Sequence, residues 1–339
     1  MLQIERVVSN KGNGDIVKEI ITRNIGEHVV DLHLVRHRIL RIWQFENTRK
    51  IENLSLRWNL LKKIDSFQCL TALTHLNLND NQIAKLENLE TLTNLEFLDV
   101  SYNRITRIEG LAELKKLKEL HLVHNKITVI EGLEENTALE YLELGDNRIR
   151  KMENLGHLSN LKRLFLGANQ IRRIEGLNEN KSQLKELSLP GNAIQVIEGL
   201  DTLSGLRSLS LAQNGIRKID GLGGLTSLVS LDLNDNIIEK LENADQFKGV
   251  NNLMIRKNKL DSWQDLSQLR EVPGLDALTL EMNPIYNSDY TYRNRMKQIL
   301  PDLKILDGFP TSWRQGDPFQ PLPSDFYDVF ERISSAQDF

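Results

Sequence analysis

Residues 95–150 read LEFLDVSYNRITRIEGLAELKKLKELHLVHNKITVIEGLEENTALEYLELGDNRIR, one phrase of leucines and an asparagine repeated three times. Asn103, Asn125 and Asn147 recur at one fixed interval, each with leucine-like residues eight, five and three positions before it and an isoleucine two after it. A strand this short followed by a turn cannot enclose a core, so neighbouring phrases must stack and bury one another. The alternation of a strand sends Leu95, Leu98 and Val100 inward and Phe97, Asp99 and Ser101 outward. The asparagine leaves the strand at a turn with buried backbone groups, where its amide both donates and accepts. Ile105 and Ile108 then point back into the core, and Gly110 opens the return with the positive φ that favours glycine or asparagine.

The phrase resembles the leucine-rich repeat. That template implies an α/β solenoid with a curved parallel sheet on the concave side and short helical or irregular returns on the convex side. The asparagines continue through Asn59, Asn81, Asn169, Asn192, Asn214, Asn236, Asn258 and Asn283, at the same interval except for two lengthened steps, the ones ending at Asn192 and at Asn283. With His37 in the first asparagine slot the count is twelve units of about 22 residues, a length within the leucine-rich-repeat range. The expected divisions are an N-terminal cap at 1–28, the solenoid at 29–283, a C-terminal cap at 284–308 and a proline-rich linker with a short amphipathic tail helix at 309–339. The apolar spacing of 15–25 predicts a short helix in the first cap, and Leu32 and Leu34 are expected in the core of the first unit. A helix is expected around Ser288 to Leu300, with a last partial strand at Leu303–Leu306, and the tail helix is expected either to dock on the solenoid, which would cover its large apolar side chains, or to serve as a partner-binding peptide.

Composition narrows the function. Forty-seven acids against 43 bases leave a net charge of −4, without the basic excess of a nucleic-acid binder. Cys69 alone builds no internal disulfide framework. The sequence holds no apolar run of transmembrane length and no secretory signal core at its start, so an intracellular protein without membrane association is expected. His121 and His124 have no indicated third ligand, and GLGGL at 221–225 falls on a return, where structural glycine is the better explanation. No catalytic constellation, metal site or cofactor is expected. Function falls to the outward strand positions: Asp31, Asp99, Glu119, Glu143, Glu186, Asp232 and Glu281 against Arg57, Arg163 and Arg256, a surplus of four acids. Phe97, Tyr141 and Phe165 are expected to be exposed among them, the anchor-and-rim mixture of a protein interface.

The runs ILRIWQFENTRKIENLSLRWNLLKKID, LEFLDVSYNRI, LELGDNRIRKMENL, LFLGANQI and LDSWQDLSQL resemble the leucine-rich-repeat regulatory subunit of protein phosphatase 1, the regulatory subunit 7 family, over about residues 29–308. The resemblance implies a noncatalytic protein, monomeric by itself, that grips the phosphatase catalytic subunit with its concave wall in nuclear, cytoplasmic and mitotic settings. Family contact residues match at Asp99, Glu143, Phe165 and Asp232; Phe97, Tyr141, Glu186 and Arg163 lie on the same outward surface. The family pattern has aromatics where this chain has His121, Met254 and Thr279, and a glutamate where it has Asn252. A ciliary or cytoskeletal scaffold using the same wall for another partner is the alternative.

Overall fold

The computed structural model describes residues 2–9, 16–43, 45, 48–177, 183–288 and 291–312. The chain divides into two compact units, Met1–Leu161 and Lys162–Phe339. The proline-rich linker beyond Thr311-Ser312 and the tail helix expected within 309–339 lie outside the described residues.

In the first unit, β1 (Leu2–Ser9) and β2 (Ile16–Arg23) form an antiparallel hairpin, and β3 (Asp31–His33) and β4 (Ile39–Trp43) follow. The strands β5 (Asn53–Ser55), β6 (His75–Asn77), β7 (Phe97–Asp99), β8 (Glu119–His121) and β9 (Tyr141–Glu143) extend from β3 as a parallel ladder, with Leu32, Leu54, Leu76, Leu98, Leu120 and Leu142 in register. Leu95, Leu98, Val100, Ile105 and Ile108 are buried, as the alternation requires. Leu32 is half-buried, because its strand is the outermost of the ladder, while Leu34 is buried. Ser101, expected to face outward, is buried at 4 % exposure. The strand has already ended at Asp99, and the Ser101 hydroxyl accepts the Val123 N–H of the next repeat at 3.2 Å.

The helix expected across 15–25 is instead β2. Its β-branched run IVKEIIT favours an extended chain, and β1 offers it a full set of backbone partners from Leu2 opposite Arg23 to Ser9 opposite Ile16. On its other edge β1 pairs with β4, with a register shift between Glu5 and Arg6. That bulge moves the buried side from Leu2 and Ile4 to Val7.

In the second unit, β10 (Arg163–Phe165), β11 (Glu186–Ser188), β12 (Ser208–Ser210), β13 (Ser230–Asp232), β14 (Asn252–Met254), β15 (Ala277–Thr279) and β16 (Ile305–Leu306) pair in parallel, and β17 (Phe309–Pro310) closes antiparallel on β16. β17 lies just beyond the expected end of the cap at 308. The helices are α1 (Trp263–Leu266), α2 (Pro284–Ser288) and α3 (Tyr292–Ile299), with 3-10 turns at Ala244–Phe247 and Ser267–Glu271. The helix expected around Ser288 to Leu300 is present as α3, preceded by the short α2, and Tyr292, Met296 and the C-capping Leu300 are its buried side. Each unit contributes six three-residue strands, from β3 and β5–β9 in the first and β10–β15 in the second, so the twelve expected repeats are all in place.

The asparagines hold the repeats together. Asn103 Nδ2 donates to Leu78 O and Val100 O at 3.0 Å and to Ser101 O at 3.1 Å, while its Oδ1 accepts Ile83 N–H at 2.9 Å. Each bridge reaches back into the preceding repeat: 25 positions for Asn125 and Asn147, 26 for Asn192 and 28 for Asn283. The two longer returns therefore leave the ladder unbroken. The residue before the asparagine adopts the left-handed region, including Tyr102 (φ 55), His124 (φ 53) and Asp146 (φ 51). At the return, Gly110 and Gly132 have φ 71 and 69, and a Cβ on Gly132 would lie 2.3 Å from Ile108 O. Asn88 and Asn154 occupy the same position at φ 60 and 58 and donate to Ile64 O and Ile130 O of the preceding repeat.

Leu98→Ala and Leu142→Ala, each removing a fully buried side chain, are expected to lower stability by roughly 2–5 kcal/mol. Asn103→Ala strands three carbonyls and one N–H and is expected to cost about 1–3 kcal/mol. Urea unfolding curves check both, and an unchanged midpoint in the leucine variants would contradict the inward assignment.

Candidate protein-binding strand faces

Each three-residue strand from β5 to β15 buries its central leucine and sets the residues on either side on the opposite face. Stacking in register makes these into two columns per unit. In the first unit one column runs Asp31, Asn53, His75, Phe97, Glu119, Tyr141 and the other His33, Ser55, Asn77, Asp99, His121, Glu143.

Directly opposite and diagonal neighbours across the strands make an aromatic ladder, contacts that long side chains reach readily. Phe97 stacks on His75 with centroids 5.7 Å apart, His121 lies 5.1 Å from Phe97, and Tyr141 lies 4.6 Å from His121. Phe97 and Tyr141 are half-buried, where the alternation predicts exposure, because each ring packs against its neighbours. Carboxylates border the ladder. Asp99 accepts the Asn77 amide at 3.2 Å and Ser101 N–H at 2.9 Å. Glu143 Oε2 accepts the Tyr141 hydroxyl at 3.2 Å and lies 2.9 Å from His121 Nδ1. Phe97, Asp99, Tyr141 and Glu143, all expected contact residues, thus meet on one face, and His121 is the piece that joins them. Its one-repeat offset from both Asp99 and Glu143 was the available signal.

Burial alone would depress His121, but the Glu143 hydrogen bond and the charges of Asp99, Glu143 and Glu119 outweigh it, so its pKa stands above the usual 6.5. At the turn beside this face, Tyr102 stacks on His124 at 4.9 Å, and His124 pairs with Asp146. His121 and His124 therefore serve separate columns.

In the second unit Arg163 lies opposite Glu186, and Phe165 opposite Ser188. Phe165 is half-buried, again less exposed than expected. Burial pushes the Glu186 carboxyl up, opposed by the Arg163 charge. Burial also pushes Asp232 up, against the hydrogen bonds from Asn234 N–H and the Ser210 hydroxyl at 3.2 Å. Ser208, Ser230, Asn252 and Ala277 fill one column of this face with small or polar side chains, all under 9 % exposed. Met254 and Thr279 are half-buried in the other column. The GLGGL segment is structural: Leu222 and Leu225 are buried, and a Cβ on Gly224 would lie 2.4 Å from Asp201 O. Among the described residues no three His, Cys, Asp or Glu side chains group to hold a metal ion, and no helix is long and apolar enough to cross a membrane.

Repeated short parallel strands, with a buried leucine at each centre from β5 to β15 and aromatic and charged outward columns, define a repeat fold within each unit. The chain belongs to the leucine-rich-repeat family, whose sequence pattern matches residues 111–214 and 183–311, with a second leucine-rich-repeat pattern at 70–85 and 91–107. No curated protein sequence gives a significant match. Among solved structures, an internalin (inlF) of Listeria monocytogenes is similar at 23 % identity and TM-score 0.65, over 88 % of this chain and 91 % of that one. The functional domain of InlJ from the same organism is similar at 22 % identity and TM-score 0.65, over 82 % of this chain and 62 % of that one. A leucine-rich-repeat protein of Leptospira interrogans is similar at 24 % identity and TM-score 0.57, over 76 % of this chain and 79 % of that one. These likenesses concern the fold.

Because the fold raises the His121 pKa, protonation of His121 contributes stability that is complete below the ordinary histidine value and is lost as pH rises through the folded value. An NMR titration is expected to place its midpoint above 6.5 in the native chain. Glu143→Gln leaves the burial and removes a charge, so the midpoint is expected to fall; an unmoved midpoint would discount the Glu143 contact.

Proposed function

We propose that the chain is a noncatalytic regulatory subunit that binds the catalytic subunit of protein phosphatase 1 through its strand faces. The observation that carries this proposal is the meeting of Phe97, Asp99, Tyr141 and Glu143 on one face of the first unit. Half-buried rings held by neighbouring side chains lose little freedom on binding, and the carboxylates around them favour a basic counterpart. Phe165, Arg163, Glu186 and Asp232 add the second unit's share, and the resemblance in the repeats supplies the partner. The protein is proposed to act as a monomer in the nucleus and cytoplasm, by shape and charge, without nucleic acid, membrane or cofactor.

A second function, a ciliary or cytoskeletal scaffold, is favoured by one observation. Where the phosphatase family has aromatic or acidic side chains, the second unit carries buried Asn252 and the half-buried Met254 and Thr279. A partner that relies on anchors there would bind this chain poorly.

Calorimetric titration of the purified chain with purified phosphatase catalytic subunit separates the two. Saturable binding is expected, weakened by at least about 2 kcal/mol in the Asp99→Ala, Glu143→Ala, Phe165→Ala triple variant. No binding, together with recovery of microtubule-motor components by the tagged chain from its own cells, would replace the first function with the second.

A further inference from the structure

The acidic face just described occupies the later repeats of the first unit, and its first repeats have the opposite character. Arg36 and Trp58 hold equivalent turn positions one repeat apart, at φ 59 and 57, and Arg36 N–H donates to Arg57 O at 3.1 Å. That backbone bond fixes the two arginines about one indole. The Arg36 guanidinium carbon lies 3.8 Å from the Trp58 ring centroid and that of Arg57 lies 4.6 Å from it. Two like charges over one ring repel each other, and the ring's π-face offsets the repulsion only in part. Neither guanidinium has an ion pair or a side-chain hydrogen bond among the described residues, and Arg57 Nε is buried without an acceptor there. Trp58 remains 37 % exposed.

Beside this edge a hollow of about 450 Å³ opens on the strand face, lined by His33, Ser55, Arg57, His75, Asn77 and Phe97 among others. Its acid, Asp31, accepts the Asn53 amide. Asp80, at the turn after Trp58, is exposed and is the nearest acid in the turn column. Burial depresses the His37 pKa beside this edge, and the charges of Arg23 and Arg6 depress it further.

We propose that the Arg36–Trp58–Arg57 edge and the adjoining hollow seat a short acidic peptide segment of a partner protein. Its carboxylates meet the two guanidiniums, for which paired N–H donors are the natural match, and separate apolar side chains of the segment lie against Trp58 at the edge and Phe97 in the hollow. A nucleic acid is disfavoured by charge, because a polyanion continuing along this face runs into Asp99, Glu119 and Glu143. A short acidic segment ends before them. The inference stands apart from the phosphatase proposal, with which it shares only Phe97.

The test is fluorescence anisotropy on the full chain with a short fluorescein-labelled peptide of alternating glutamate and leucine. The glutamate peptide is expected to bind saturably, and its lysine counterpart not to bind. Arg36→Gln, Arg57→Gln and Trp58→Ala are each expected to weaken binding about tenfold, the loss typical of one charge-assisted contact. Arg217→Gln, at an exposed site in the second unit, is expected to leave it unchanged. Arg36 is exposed, so its variant keeps the fold and decides the matter should Arg57→Gln unfold; circular dichroism melting reports which has happened. Absence of saturable binding, equal loss in Arg217→Gln, or tighter binding of an oligothymidine that is lost in the same arginine variants would overturn the proposal.

Discussion

Within each unit a repeat is tied to the one before it through a single side-chain amide. Asn103 takes carbonyls from its own turn and from Leu78 a repeat earlier and returns its oxygen to Ile83 N–H; Asn81, Asn125 and Asn147 do the same at their own levels. A buried turn exposes backbone groups that water cannot reach, and leaving them unpaired costs more than any one hydrogen bond contributes. The amide supplies donor and acceptor together, which no hydrophobic side chain and no carboxylate does. Because it also demands a left-handed residue just before it, the turn keeps one shape, and the leucine columns behind it stay in register whatever the length of the return.

A fixed register turns sequence spacing into a surface. Residues one repeat apart become neighbours, so Asp99, His121 and Glu143 form a charge sequence across three strands although nothing links them along the chain. The consequence is electrostatic as well as steric. His121 is buried enough to favour its neutral form, yet three carboxylates hold it toward the protonated one. In the second unit Glu186 and Asp232 are pushed up by burial with less compensation from cations. The two faces thus offer a partner different chemistry: rings joined by a histidine in one, small side chains and partly desolvated carboxylates in the other.

The ends of the repeats obey other rules. At the start, β1 and β2 meet each other and β4, which satisfies backbone groups that a repeat would otherwise give to a neighbour. Near the last strand, Asp307 replaces the asparagine amide with a carboxylate that accepts Leu280 and Glu281 N–H at 2.7 and 2.9 Å. The Tyr292 hydroxyl of α3 donates to it at 3.0 Å, so the helix is anchored where the repeat pattern stops. Burial raises both groups above their usual values, opposed at Asp307 by those same hydrogen bonds.

The sequence by itself determined the twelve strands, their buried leucines, the asparagine bridges and the residues available on the outward columns, because a strict period leaves one way to stack. It also placed Gly110 at a return, since few residues accept a left-handed backbone cheaply. Tertiary structure decided what periodicity does not encode. Residues 16–23 carry helical spacing as well as β-branched side chains, and only the presence of β1 beside them settled the choice. The burial of Ser101, the half-burial of Phe97 and Tyr141, and the sharing of Trp58 by Arg36 and Arg57 all arise from contacts between repeats. Those contacts depend on the volume and charge of a neighbour one repeat away rather than on the local chain.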